Sequence, residues 1–408
     1  MLLRLCKFSV VMLFFNLYIY YTLTGNYIPN GTMIFGLSSV LFMLLDAVTS
    51  TDYKLFLDIR TEMITLILFL VWCFITVPLA LNSSASLRTA TDVLQKMLFV
   101  FVVYYICRKD GSLRFITMLF LVISIAAALI SLSMYGAVSD RLSLSENISI
   151  NSTGNLMVLG TFCALYLYQG KRWYSFTLLA GSIALFAFII ALTGSRKSIF
   201  AVLILIVLFV ILAPKKPIVF TAQSFFSMIV LLVLIYVLYS RVAPMISDTS
   251  LYARLFDEEV SAHANASNEG RWLFYQYAWN DFLTNPFSGL GIGGYQAKHG
   301  SYSHSAYMEV LAGTGIVGIV LYFTTYVRTF AKLWKEMRDK TLEFFALRQS
   351  RLVFCFYIVF LYIGLGIGHL YDNLSMLELG MFMAAGCGLL ENKKQDVEPE
   401  GVAAADAG

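Results

Sequence analysis

The feature that most constrains the fold is a series of apolar runs, each close to the roughly 20 residues that a helix needs to cross a bilayer. These runs recur along the whole chain of 408 residues, of which 59% are hydrophobic and 13% are charged. Too few polar side chains remain to coat a water-soluble globule, and the runs lack the alternation of a membrane β-barrel. The sequence therefore predicts an all-α, polytopic integral membrane protein.

The hydropathy pattern predicts about twelve membrane spans and one large hydrophilic loop, residues 241–305, between the ninth and tenth spans. The predicted organisation is an N-terminal bundle of about nine helices (1–240), this loop, a C-terminal group of helices (306–392) and a tail (393–408). Because the tail is acidic and rich in Ala and Gly, it is predicted to be disordered. The predicted spans are 8–24, 31–49, 63–81, 91–107, 114–134, 153–168, 174–193, 198–213, 218–240, 306–327, 352–370 and 374–390.

The distribution of Lys and Arg among the short loops predicts the orientation, because these residues concentrate on the cytoplasmic side. With the N-terminus inside, about two-thirds of the 29 Lys and Arg residues fall in inner segments. Both termini are then predicted to be cytoplasmic, and the loop at 241–305 faces outward.

An aromatic segment, RWLFYQYAWNDFL at 271–283, stands out within the predicted outer loop, whose preceding part, 241–270, is polar and turn-rich. Two readings fit it: an interfacial helix at the level of the lipid headgroups, or a helix packed on top of the bundle. Pro286 is predicted to end this helix, and the glycines of SGLGIGG permit tight turns. Helical spacing places its larger rings on one face: Trp272, Tyr275, Trp279 and Phe282.

The outer segments contain few cationic residues, so we examined each of them for a specific role. Arg196, in ALTGSRKSIF, lies between two apolar runs at the outer interface, where an unpaired arginine costs a few kcal/mol. Arg271 begins the aromatic segment. Because guanidinium groups match phosphate oxygens bidentately, we expect Arg196 and Arg271 to hold an anion, for which a diphosphate is suited. Arg241 and Arg254 either bind the same anion or pair with lipid phosphates and acidic residues of the loop.

His304, in YSHSAYMEVLAGTGIVG at the entry of the tenth span, is the strongest candidate for a general base. Its ordinary pKa, near about 6.5, leaves a neutral imidazole that can accept the proton of an attacking hydroxyl. A hydrogen-bonded structural histidine is the alternative reading. His369, in GIGHLYDN at the outer end of the eleventh span, is the main competitor.

No metal or other cofactor is predicted. The outer segments contain no HExxH, CxxC or Asp-x-Asp motif, and the six cysteines fall in spans or near inner ends. Nothing in the sequence indicates nucleic-acid binding, because the net charge of +4 mostly reflects the inner loops.

Three segments, in this order, resemble the O-antigen ligase and polymerase family of bacterial envelopes. They are TGSR at 193–196, GRWLFYQYAWNDFLTNPFSGLGIGGY at 270–295 and HSAYMEVLAGTGIVG at 304–318. The resemblance covers roughly 190–320; the first 150 residues agree with the family only in hydropathy.

The resemblance implies a metal-independent membrane glycosyltransferase of the bacterial cytoplasmic (inner) membrane that makes surface polysaccharide such as O-antigen or capsule. It implies that Arg196 and Arg271 grip the diphosphate of an undecaprenyl-diphosphate-linked glycan, and that His304 activates the acceptor hydroxyl. Family members commonly have His-Asn where this chain has His304 followed by Ser305, so the orienting amide is missing and a hydroxyl stands in its place. Implied partners are a glycan or lipid-linked acceptor, membrane lipids, and a chain-length regulator or flippase.

The sequence leaves the choice between polymerase and ligase open, with polymerase favoured because nothing identifies the lipid A core acceptor that a ligase requires. The alternative from another class is a polytopic transporter, such as a flippase of lipid-linked oligosaccharide. Transporters, however, place polar sites near the bilayer midplane and contain internal repeats. Here the ionisable candidate site residues lie at the outer surface, and no repeat is visible.

Overall fold

The computed structural model describes residues 1–134, 150–168, 173–214 and 258–388. This part of the chain contains helices and turns but no strand, which confirms the all-α prediction. Eight helices within it are long and apolar enough to cross a membrane, and the chain is a multi-pass membrane protein. The described residues do not reach the predicted total of twelve spans. Four features fall outside them: the predicted span 218–240, Arg241, Arg254 and the predicted tail.

Fourteen α-helices run through the described residues. They are α1 Leu2–Phe14, α2 Tyr21–Thr24, α3 Gly31–Thr49, α4 Arg60–Thr76, α5 Ser83–Lys109, α6 Arg114–Met134, α7 Ile150–Leu167, α8 Trp173–Thr193, α9 Arg196–Leu212, α10 Glu258–Thr284, α11 Gly294–His299, α12 Ala306–Arg338, α13 Phe344–Ile363 and α14 Asn373–Ala385. The eight candidate spans are Leu2–Thr24, Gly31–Thr49, Asp52–Leu79, Ser83–Lys109, Arg114–Ser133, Ser175–Thr193, Ala306–Arg338 and Phe344–Ile363.

One hydrophobic core joins helices from both ends of the chain. Helix α5 packs against α14, α4 against α12, and α9 against α13, so the helices before and after the predicted loop are interleaved. Gly380 allows α14 to approach α5 closely, because a Cβ there would clash with the carbonyl of Val100. This interleaving brings α9 and α10, on which Arg196 and Arg271 lie, into one bundle with α12, which begins just after His304 and Ser305.

Two sequence-based boundaries are wrong. Residues 258–270 were expected to be polar and turn-rich, but α10 already begins at Glu258. This stretch, EEVSAHANASNEG, contains no proline and is rich in Glu and Ala, and the single Gly270 is tolerated within the helix. The span predicted at 352–370 instead ends at Ile363, because the glycines of GLGIG follow it, and His369 lies in a separate 3₁₀ turn.

Helix α12 is broken at Gly315, whose φ of +65° and ψ of −165° are accessible almost only to glycine. The turn that begins at Pro286 fills the break. The N–H of Ile316 donates to the Pro286 carbonyl at 2.8 Å, and Trp72 Nε1 donates to the Thr314 carbonyl at 2.9 Å. The broken backbone is therefore satisfied by the protein itself, unlike the half-helices that coordinate substrates in many transporters.

Gly315→Ala is expected to destabilise the protein by about 2–4 kcal/mol, because the left-handed backbone strain and a clash of the new Cβ with the Phe287 carbonyl add. Thermal unfolding in detergent measures the effect. Gly181→Ala in α8 is the matched control, since a Cβ there meets nothing within 4 Å. A melting temperature of Gly315→Ala equal to that of the control would contradict this account.

Basic and acidic side chains form ion pairs at one end of the bundle. At the end formed by the C-termini of α5, α12 and α14, Arg108 pairs with Asp58, and Lys332 Nζ lies 2.5 Å from Glu62 Oε1. This is the end where sequence analysis places the cytoplasm. At the opposite end lie the start of α12 and the turn that follows α10.

Candidate active site

His304 lies in the short loop between α11 and α12, and its backbone has a left-handed φ of +59°. This conformation costs a non-glycine residue on the order of 1–3 kcal/mol and persists only where surrounding contacts hold it. The imidazole is half-buried, with its centroid 4.2 Å from that of the Tyr302 ring and 5.8 Å from that of Phe274. The strained backbone of His304 therefore indicates that surrounding contacts hold this residue in one position.

Ser305, the residue after His304, connects two helices of the site. Its Oγ accepts a hydrogen bond from the Met308 N–H at 3.4 Å and so caps the N-terminus of α12. The same hydroxyl lies beside the phenol of Tyr275 on α10. Ser305 thereby ties the helix that carries Arg271 to the loop that carries His304.

Two cationic side chains act on the His304 imidazole. Burial lowers the pKa of His304 below its ordinary value of 6.5, and the charges of Arg271 and Lys197 lower it further. Arg271 is in α10 and Lys197 is in the first turn of α9, so three elements far apart in sequence meet here. An imidazole with a lowered pKa is neutral at pH 7 and can accept a proton.

Lys197 was not among the residues predicted for the site. Its Nζ donates to the Ile363 carbonyl at 2.9 Å. Burial lowers the pKa of Lys197 to about 7; the nearby Arg271 lowers it as well, whereas Asp372 raises it. The sequence SRK indicates two adjacent cations, Arg196 and Lys197, and either of them could face the site.

Arg196 directly precedes Lys197 and is partly buried. Side chains of adjacent helical residues project about 100° apart, so the two cations point in different directions. Within the described residues, no hydrogen bond or ion pair joins Arg196 to Arg271 or His304. The structure thus brings Arg271, Lys197 and His304 together, and Arg196 is held beside them at the start of the same helix.

Comparison with known proteins finds a family similar to the segment that carries these residues. Residues 180–323 match the sequence model of a family described as O-antigen ligase. The match covers about a third of the chain, and it supports similarity of this segment to the O-antigen ligase and polymerase family. A comparison with curated proteins gives no match. The matched O-antigen ligase segment contains Arg196, Lys197, Arg271 and His304.

His369, the second predicted histidine, lies beyond the O-antigen ligase segment and is 1% exposed. Its ring stacks on Phe360, with the centroids 4.1 Å apart. Burial, together with the charge of Lys197, lowers the pKa of His369 to about 3. A base that weak and that buried is poorly suited to take a proton from an acceptor.

His299, also within the O-antigen ligase segment, has a partner of its own. Its Nε2 lies 2.7 Å from Asp281 Oδ2, and its ring stacks on Tyr277. Asp281 is 3% exposed and also pairs with Lys298. These contacts tie α11 to α10, whereas the charges of both Arg271 and Lys197 act on His304. Among the described residues, no three His, Cys, Asp or Glu side chains are grouped to hold a metal ion.

Proposed function

We propose that this protein transfers a glycan from an undecaprenyl-diphosphate carrier to an acceptor hydroxyl at the outer face of the bacterial inner membrane. The observation that carries the proposal is the meeting of Arg271, Lys197 and His304 at one end of the bundle, within the O-antigen ligase segment. Cationic groups suited to a diphosphate then lie beside an imidazole suited to a hydroxyl.

The lack of carboxylate partners for Arg271 and Lys197 in the part of the chain that the structure describes supports an anionic ligand. Within the described residues, no salt bridge to a carboxylate involves Arg271 or Lys197, whereas Arg108 and Lys332 at the other end have acidic partners. A lipid diphosphate would supply the missing negative charge, and Arg271 could hold it bidentately. Arg196, next to Lys197, remains the other arginine that we propose contacts this ligand; Arg241 and Arg254 are lesser candidates.

The proposed reaction is a direct displacement at the anomeric carbon. His304 takes the proton of the acceptor hydroxyl while its oxygen forms the new glycosidic bond. The bond from the anomeric carbon to the diphosphate breaks, and the lipid diphosphate leaves with the electron pair. The anomeric configuration is inverted. Because the leaving group is already a weak base, its expulsion needs the charge stabilisation that the cations supply more than it needs an acid.

Donor affinity is expected to depend on pH through Lys197, which is charged below its pKa of about 7 in the donor-free protein. A diphosphate esterified at both ends has no proton to lose near neutrality, so the dependence comes from the protein. We expect the donor KM to rise as the pH is raised from about 6 to 8. Lys197→Met should flatten this rise; a profile unchanged by the substitution would argue against Lys197 as a donor contact.

The decisive experiment mixes purified protein with a synthetic lipid-linked repeat unit in the presence of a chelator. New glycosidic bonds with inverted configuration would support the proposal. Strict dependence on a divalent cation would overturn the metal-independent scheme, and movement of the lipid-linked substrate across vesicles without new bonds would favour the flippase alternative.

A deletion strain separates polymerase from ligase. Loss of chain length with single repeats still attached to the acceptor is expected of a polymerase. Accumulation of full-length polymer on its lipid carrier is expected of a ligase.

A further inference from the structure

The loop that carries His304 is closed by a buried carboxylate. Glu309, in the first turn of α12, is 1% exposed, and its Oε2 accepts a hydrogen bond from the Ser303 N–H at 2.7 Å. This hydrogen bond connects the residue just before His304 to the helix that follows it. His304 therefore lies inside a closed turn of the chain.

Three further hydrogen bonds fix the same turn. Ser303 Oγ donates to the Ser305 carbonyl at 3.1 Å, and Ser305 caps α12 through the Met308 N–H. The Ala306 N–H donates to the carbonyl of Gly364 at 2.8 Å. The residues on both sides of His304 are thus held, which accounts for the persistence of its left-handed backbone.

Glu309 is in turn held from the other side of the bundle. Its Oε1 accepts a hydrogen bond from the Tyr371 hydroxyl at 3.4 Å. The Tyr371 carbonyl accepts from Lys96 Nζ at 2.7 Å, and Lys96 pairs with Asp92 on α5 at 2.6 Å. A chain of polar contacts therefore runs from α5 through Tyr371 and Glu309 to the His304 loop.

We propose that Glu309 is a positioning residue for His304. It acts through the backbone of Ser303, holds the loop in its left-handed conformation and so fixes where the imidazole meets the acceptor hydroxyl. The proposal rests on the function proposed above, in which His304 is the base. Tyr371 supports Glu309 and contributes less, because its hydrogen bond is longer.

Three substitutions at one position test the role. Glu309→Ala removes the acceptor, Glu309→Asp keeps the charge but shortens the reach to Ser303, and Glu309→Gln keeps an oxygen that can accept the Ser303 N–H. We expect kcat for glycan transfer to fall about 10- to 100-fold in the first two, since a base displaced by about 1 Å can lose that much. Glu309→Gln should lose no more than about 10-fold, because a neutral acceptor is weaker than a charged one. Donor affinity should stay within about twofold in all three.

A double mutant separates positioning from a general structural role. In a His304→Ala background, Glu309→Ala should lower kcat no further, because the base that it positions is gone. Glu336→Ala, at the far end of the same helix, is the matched control and should leave kcat unchanged.

The outcomes distinguish this inference from the function on which it rests. Full transfer by Glu309→Ala and Glu309→Asp, together with loss of transfer by His304→Ala, would overturn the role of Glu309 alone. Equal losses in Glu309→Ala and Glu309→Gln, or losses that multiply with that of His304→Ala, would overturn it too. Full transfer by His304→Ala would instead overturn the proposed function. If Glu309→Ala does not fold, the other two variants test the role. A lower kcat in Glu309→Asp than in Glu309→Gln would support it, and equal values would overturn it.

Discussion

His304→Ala is expected to slow glycan transfer by about 10²- to 10⁴-fold, the range that a general base contributes, while the protein still folds and binds the donor. The loss should appear in kcat, because the imidazole acts on the acceptor proton and not on the diphosphate. Single-turnover transfer from a lipid-linked donor, with donor binding measured separately, gives both quantities. Alanine at a φ of +59° keeps the backbone strain of the parent, so the melting temperature of the variant is measured alongside to check its folding.

The pH dependence of transfer gives the same prediction an independent readout. Because burial, Arg271 and Lys197 lower the pKa of His304, the acid limb of kcat/KM should fall below pH 6.5. A bound diphosphate places negative charge beside the imidazole and raises its pKa, so the acid limb of kcat should lie at higher pH. Both limbs should disappear in His304→Ala.

His299→Ala is the matched control for His304. The His299 imidazole pairs with buried Asp281, so its removal should lower the melting temperature while transfer by the folded protein changes little. Full transfer by His304→Ala, or a loss as large in His299→Ala, would remove His304 from the role of base.

Arg271→Ala is expected to weaken donor binding by about 10- to 100-fold, the equivalent of the roughly 1.5–3 kcal/mol that a hydrogen bond to a charged group contributes. Arg271→Lys should recover only part of the loss, because a point charge cannot bind phosphate bidentately. Inhibition by undecaprenyl diphosphate without a glycan measures the same contact in isolation. In Arg271→Ala this inhibition should weaken in parallel with donor binding.

Lys298→Ala is the control for Arg271, since Lys298 is a nearby cation already paired with Asp281. It should leave donor binding unchanged. Comparison of Arg196→Ala with Lys197→Ala then decides which of the two adjacent cations contacts the diphosphate. Unaltered donor binding in Arg271→Ala would show that the diphosphate binds elsewhere.

The helix ends show which structural features of this protein can be predicted from hydropathy. Apolar runs located the candidate spans because a bilayer requires helices whose backbone groups are satisfied internally. The same criterion is blind to polar helices, so the start of α10 at Glu258 was missed. It was equally blind to the break at Gly315, because that break depends on a distant turn that supplies backbone partners.

Sequence alone determined the all-α membrane class, and it predicted the resemblance to O-antigen ligases with Arg271 and His304 in one ordered motif. It could not choose between Arg196 and Lys197, because the direction of each side chain depends on how α9 packs against α13. It gave Glu309 no role, because its contacts with Ser303 and Tyr371 exist only after three separate chain segments meet. Hydropathy is a property of each segment by itself and can be read locally. The electrostatics and backbone strain of a site arise between segments, and only the tertiary structure decides them.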